Sequence, residues 1–245
     1  MPLRNLSTCA ICGHQQETCS LLSSNTNGHY DLDLRPPEML RSSMHYWVQE
    51  CEKCGYCATD IAEEIPNEVR SLIEPVIDLI RRNRTQNDKN LSELASRFCR
   101  QAAILTMLGE HDQAGWALMH AAWACDDDCP DKIGANECRM SAFDSFAKCK
   151  INGIQYATPN GYEEEIMVDI LRRTGAFERA NSHCFEVFSH VSIIDNPQLI
   201  DVLKFQRDLI WMGDDGCYNF GHIMEKMSSN AQDQTRKDDA DVSSS

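Results

Sequence analysis

Two copies of one short pattern constrain this chain more than anything else in it: Cys9-Ala-Ile-Cys12-Gly13 and Cys51-Glu-Lys-Cys54-Gly55. A spacing of two residues lets both sulfurs of a pair face one ion. The glycine that follows lets the backbone curl, so that amides can point at the thiolates. Two such knuckles supply the four soft ligands of a closed tetrahedral zinc site, which predicts one structural zinc ion held by Cys9, Cys12, Cys51 and Cys54. The 38 residues between Cys12 and Cys51 make a longer spacer than the common ribbon, so the ligand set is better specified than the ribbon type. Neither pair has the strand–helix setting of a redox CxxC. A site with four sulfurs keeps no position open for water, which argues against catalysis by the metal.

The rest of the composition narrows the setting. The chain has 13 cysteines, no run of 18 apolar residues, and polar residues with two cysteines where a signal peptide would have its apolar stretch. The expectation is a cytoplasmic protein with free thiols and metal ligands rather than a disulfide framework, and no membrane partner. A net charge of −15 opposes long-range attraction to DNA or RNA, and the first 60 residues carry four basic against seven acidic groups. Nucleic-acid binding by the ribbon is therefore the weakest functional class.

Three zones are read along the chain: a zinc-ribbon-like module over 1–60, a helical domain over 61–227, and a disordered tail over 228–245. Tyr46, Trp47 and Val48 favour a strand over Ser43–Glu50 running into the second knuckle, and Leu21-Leu22 a second short strand. Leu91, Leu94, Ala95, Phe98, Cys99, Ala102 and Leu105 recur at helical spacing, as do Ala114, Ala117, Leu118, Ala121, Ala122 and Cys125. Further helices are expected near 133–150, 161–174, 176–190 and 197–212. Pro66 and Pro75 bracket a helical segment ending near Arg81, followed by a polar loop to Lys89. Gly109-Glu-His-Asp-Gln-Ala114 resembles Gly175-Ala-Phe-Glu-Arg-Ala180, 66 residues on, or two periods of a tetratricopeptide-like repeat. Glycine permits the tight turn between two helices, and alanine lets them approach closely. The fold class expected is mainly α: tetratricopeptide-like antiparallel helix pairs with a small N-terminal β zinc ribbon.

Asp31-Leu-Asp-Leu-Arg-Pro-Pro-Glu-Met39, with Trp47-Val-Gln-Glu-Cys51 and Cys54-Gly-Tyr56, resembles an uncharacterised bacterial family, a domain of unknown function. Its members join two CxxC knuckles to a tetratricopeptide-like helical region. The resemblance is specific over about residues 9–60 and implies architecture and a bacterial source, but no activity. Ala10 and Glu52 stand here where the family's knuckles commonly have proline.

Other residues are candidates for chemistry. Asp31, Asp33 and Arg35 offer two carboxylates and a guanidinium, which suit a ligand site as well as a set of local turns. Cys125, Cys129, Cys138 and Cys149 invite a second metal, although cysteine on an apolar helix face also packs as a small hydrophobe. Arg81, Arg82, Arg84, Lys89, Arg97 and Arg100 form the one basic stretch. No HExxH, GxSxG, P-loop or GxGxxG pattern is present. The leading expectation is a non-catalytic adaptor that binds a protein or peptide on a concave helical face. With Gly109 as the inter-helix turn, Ser96, Cys99, Arg100, Ala103 and Met107 line that face, and Arg100 takes an acidic group of the partner. The alternative is an enzyme or small-ligand sensor that uses the Asp31–Arg35 loop against the helical domain.

Overall fold

The computed structural model describes residues 2–87, 91–129, 132–158, 161–190 and 197–229. It is mainly helical, with two small antiparallel sheets near the N-terminus. Strand β1 (Pro2–Thr8) pairs with β2 (Gln15–Leu21), and β3 (Gln49–Glu50) with β4 (Cys57–Ala58). Each knuckle is therefore the connection of a β-hairpin. The expected strand at Leu21 is the end of β2. The expected strand over Ser43–Glu50 is a correction: only its last two residues are extended, and Arg41–Tyr46 is a 3-10 helix. Ser43 explains the difference. Its hydroxyl donates to Leu40 O at 2.6 Å and accepts from Trp47 Nε1 at 3.2 Å, while Trp47 N reaches Met44 O. Local side-chain bonds of this kind compete with a strand ladder.

Helix α1 (Asn67–Asn87) runs through Pro75 and on past Arg81, so the polar loop expected from Arg81 is helix as far as Asn87; Lys89 lies outside the described residues. Helices α2 (Glu93–Leu108), α3 (His111–Asp128) and α4 (Ile133–Ile151) follow, then α5 (Tyr162–Arg173), α6 (Phe177–His190), α7 (Pro197–Met212) and α8 (220–229). The two Gly–Ala units are the same device used twice. Gly109 ends α2 at φ +81°, with Glu110 N on Leu105 O; Gly175 ends α5 at φ +73°, with Ala176 N on Leu171 O. This is the left-handed helix stop that glycine permits. Ala114 and Ala180 are each fully buried.

The chain divides into two compact units, drawn differently from a cut at residue 60. One comprises Met1–Thr26 with Glu38–Thr158, the other Asn27–Pro37 with Pro159–Ser245. In the first, α3 packs against both α2 and α4. The knuckles share its core: Cys9, Cys51, Cys54, Tyr56 and Ile61 cluster with Ile73 and Ile77 of α1 and Ile104 of α2. In the second unit α5, α6 and α7 pack on one another, and Leu32 joins Val202, Phe205, Leu209 and Ile223 in a smaller core. Residues 228–229 close α8; the rest of the expected tail lies outside the described residues.

Candidate metal centre

The two knuckles fold identically. Cys9 N donates to His14 O and Gly13 N to Cys9 O; Cys51 N donates to Tyr56 O and Gly55 N to Cys51 O, all at 2.8–2.9 Å. Gly13 and Gly55 adopt φ of +70° and +77°, which side-chain-bearing residues rarely take. The four sulfurs all lie within 4.8 Å of one another. Cys9 Sγ is 3.7 Å from Cys54 Sγ, and Cys12 Sγ is 3.6 Å from Cys51 Sγ. A tetrahedral ion with metal–sulfur bonds of about 2.3 Å places its sulfurs ~3.8 Å apart, so the cage already has the size of a zinc–thiolate site.

The electrostatics fit the same purpose. Burial pushes the Cys9 thiol up, against the amides of Cys12 and Ile11 that favour its thiolate. Burial also pushes Cys54 up, against the amide of Tyr56. Cys12 is pushed up by burial, but the His14 amide and the thiols of Cys51, Cys54 and Cys9 outweigh this and its net direction is down. Packed thiols of this kind do not ionise together without a cation; a metal supplies the charge, and the protons leave as it binds.

The departures from a Cys-Pro knuckle have a structural reason. Ala10 N donates to Ile61 O at 2.8 Å, and Glu52 N to Gln16 Oε1 at 2.9 Å. Proline has no amide hydrogen to give at either place. No sequence pattern marks Gln16, yet its Nε2 also donates to Glu50 O at 2.8 Å, so one side chain clamps the first hairpin onto the second.

The remaining candidates fall elsewhere. Arg100 is 7% exposed, and its NH1 meets Glu50 Oε1 at 2.5 Å; Arg97 reaches the other oxygen of Glu50 at 3.3 Å. Ser96 is buried, Cys99 and Met107 are half-buried, and Met107 packs on the knuckle core; only Ala103 is exposed. The expectation of an open concave face along these residues is thus corrected: the second hairpin occupies Arg100. Nothing in the order of residues announced the Glu50–Arg100 pair, which spans 50 positions. Beside it a cleft of about 550 Å³ is lined by Glu17, Glu52, His45, Tyr46, Glu93 and Arg97, among others.

Asp31, Asp33 and Arg35 are 4%, 1% and 5% exposed. Their loop is folded into the second unit: Leu32 N donates to Tyr218 O, Asp33 pairs with Arg173 at 3.5 Å, and Cys217 Sγ donates to Asp31 Oδ2. Arg172 nearby bonds Asp169 and the carbonyls of Asp214 and Gly216. Burial, with Asp169 and Asp33 alongside, holds the carboxyl of Glu165 well above the usual range, where Gln206 donates to it at 2.8 Å. Asp33 ties this loop to α5 and Asp31 to the segment after α7, while Arg35 closes the loop on itself, its N–H donating to Asp33 Oδ1 and its carbonyl accepting from Asp31 N. No protein-family model, curated protein or solved structure matches the chain. Among the described residues no helix is long and apolar enough to cross a membrane.

Proposed function

We propose that the protein is a non-catalytic, protein-binding module organised around one structural zinc ion. The observation that carries this reading is the closed set of four sulfurs on two identical knuckles, packed into one core with α1 and α2. Four thiolates fill the coordination of zinc, so the ion would hold the hairpins against the helices and present no face to substrate. The kinship with an uncharacterised bacterial family, and the tetratricopeptide-like character of the α2–α3 and α5–α6 hairpins, belong to the same proposal.

The partner we infer is a basic segment of another protein. The cleft beside the second knuckle has exposed carboxylates at Glu17, Glu52 and Glu93, and the whole chain is strongly acidic. Like charge disfavours nucleic acid there and opposite charge steers a cationic peptide. An enzymatic or ligand-sensing role for Asp31, Asp33 and Arg35 is the weaker reading, because all three are buried and engaged in folding their loop. The test is capture of partners by the wild-type protein and by Glu17→Lys/Glu52→Lys, followed by calorimetry. Partners retained by the wild type and lost by the charge-reversed variant support the reading. Equal retention, or turnover of a small molecule at the Asp31–Arg35 loop, overturns it.

A further inference from the structure

The second unit presents large apolar side chains to solvent. Phe185 of α6 and Trp211 and Met212 of α7 are 72%, 68% and 67% exposed. Single exposed apolar residues are ordinary, but these are not single. Phe188 lies one turn from Phe185 on α6, and Arg207 one turn from Trp211 on α7. Arg207 joins the two helices: its guanidinium carbon is 5.5 Å from the centroid of the Phe188 ring and 4.8 Å from that of Trp211. The result is a ladder of ring, cation and ring across α6 and α7, with Phe185 and Met212 beside it.

Arg207 indicates what the patch is suited to meet. Its contacts use the faces of two rings and leave the fork of N–H donors to bond elsewhere. No carboxylate takes that fork among the described residues, and the Nε is shut off from solvent without an acceptor. The acids nearest to it along α7 are engaged already, Asp201 by Lys204 at 3.3 Å and Asp208 by Lys226 at 2.7 Å. Acidic residues outnumber basic ones in this chain by 38 to 23, so a cation left without one is out of keeping with its surroundings. The patch is also opposite in kind to the cleft beside the second knuckle. That cleft offers carboxylates; this surface offers apolar rings around one open positive charge.

We propose that Phe185, Phe188, Arg207, Trp211 and Met212 form a second docking surface, for an apolar segment of a partner protein that carries one acidic side chain. The apolar residues of the segment cover the rings, and its carboxylate takes the Arg207 fork in a bidentate, charge-assisted pair. Covering the rings removes that pair from water, and aromatic and arginine side chains so enclosed carry most of the energy of an interface. This surface does not depend on the acidic cleft, and a chain with both would join a basic partner to an acidic, apolar one.

A random peptide library displayed on phage, selected on the full chain and counter-selected on Trp211→Ala, supplies the probe. The enriched peptides should carry aspartate or glutamate flanked by leucine, isoleucine or aromatic residues. One such peptide, synthesised with a fluorophore, is then measured by anisotropy. Arg207→Gln should weaken its binding by about tenfold or more, the loss expected for one hydrogen-bonded charge pair. Replacing the peptide's acid by its amide should cost the wild type a similar factor and cost Arg207→Gln little. Both substitutions in the protein are at its surface, and unchanged circular dichroism shows that the helices persist. Enriched peptides without an acid, or an acid whose removal costs both proteins equally, overturn the pairing. Glu17→Lys/Glu52→Lys should bind the peptide as the wild type does; a loss there moves the peptide to the cleft and overturns the second surface. So does a library that yields no peptide held by the wild type over Trp211→Ala. A dimer in sedimentation velocity that Trp211→Ala dissolves assigns the patch to a second copy of this chain and overturns the proposal as well.

Discussion

Gly115 lies one turn inside α3, where helix propensity favours alanine by about 1 kcal/mol. The structure reverses the sign. A Cβ added at Gly115 would lie 2.3, 2.6 and 2.9 Å from three ring carbons of Phe146. Ordinary carbon contacts begin near ~3.5 Å, so the ring must retreat by roughly 1 Å. Phe146 has little freedom to do so. It is fully buried, stacked on Tyr156 at 4.3 Å between centroids, and edge-on to Trp116 at 5.5 Å. Overpacking of this kind costs about 2–3 kcal/mol, which leaves Gly115→Ala less stable by about 1–2 kcal/mol after the propensity gain. Urea unfolding followed by tryptophan fluorescence reads this directly, since Trp116 and Trp123 are in the same cluster. In a Phe146→Leu background the same substitution should become neutral or stabilising, because the obstructing ring is gone. A higher urea midpoint for Gly115→Ala in both backgrounds would refute the close approach of α3 and α4.

Two further outcomes follow from the same unit. Burial pushes His120, enclosed by Trp47, Phe98 and Trp123, down to about 4, so the folded state resists its protonation. The unfolded chain takes up that proton first, near its ordinary value of about 6.5, so stability is full above that pH and falls as pH drops toward 4, by up to about 3 kcal/mol. His120→Leu should flatten the pH 4–6.5 limb of the denaturation profile relative to wild type; parallel profiles would contradict the burial. Arg100→Ala should cost about 2–3 kcal/mol by leaving Glu50 short of its buried partner, whereas Arg97→Ala, at a side chain 31% exposed, should cost less than about 1 kcal/mol. Equal losses in chemical denaturation would argue that Arg100 does not anchor the second hairpin.

The parts of this molecule that were legible in its sequence are those specified by neighbours in the chain. A CxxCG knuckle is a local object: its sulfurs, its left-handed glycine and its amide bonds lie within six residues, and both copies stand where the pattern placed them. The helix stops at Gly109 and Gly175 are local in the same way. What periodicity conveys is that Arg100 lies on one side of α2, not what covers that side. The Glu50–Arg100 pair, the Gln16 clamp and the meeting of Cys99 with Cys138 are set by how elements pack, over separations of 34 to 50 residues. The loop at Asp31–Arg35 read as a ligand site because it concentrates charge. Its burial against Arg173, Cys217 and Tyr218 depends on residues some 140 to 190 positions away, which no short pattern encodes. The strand expected at Ser43 failed for a smaller reason, the hydroxyl that bonds Leu40 and Trp47.

X-ray absorption at the zinc edge tests the central claim most directly. The sample is the wild-type protein purified without added metal, in which the knuckle sulfurs are the one group close enough together to share an ion among the described residues. The account predicts a single shell of four sulfurs at about 2.3 Å, with no lighter ligand. A shell containing oxygen or nitrogen at about 2.0–2.1 Å, or a purified protein without zinc whose hairpins remain folded, would contradict it.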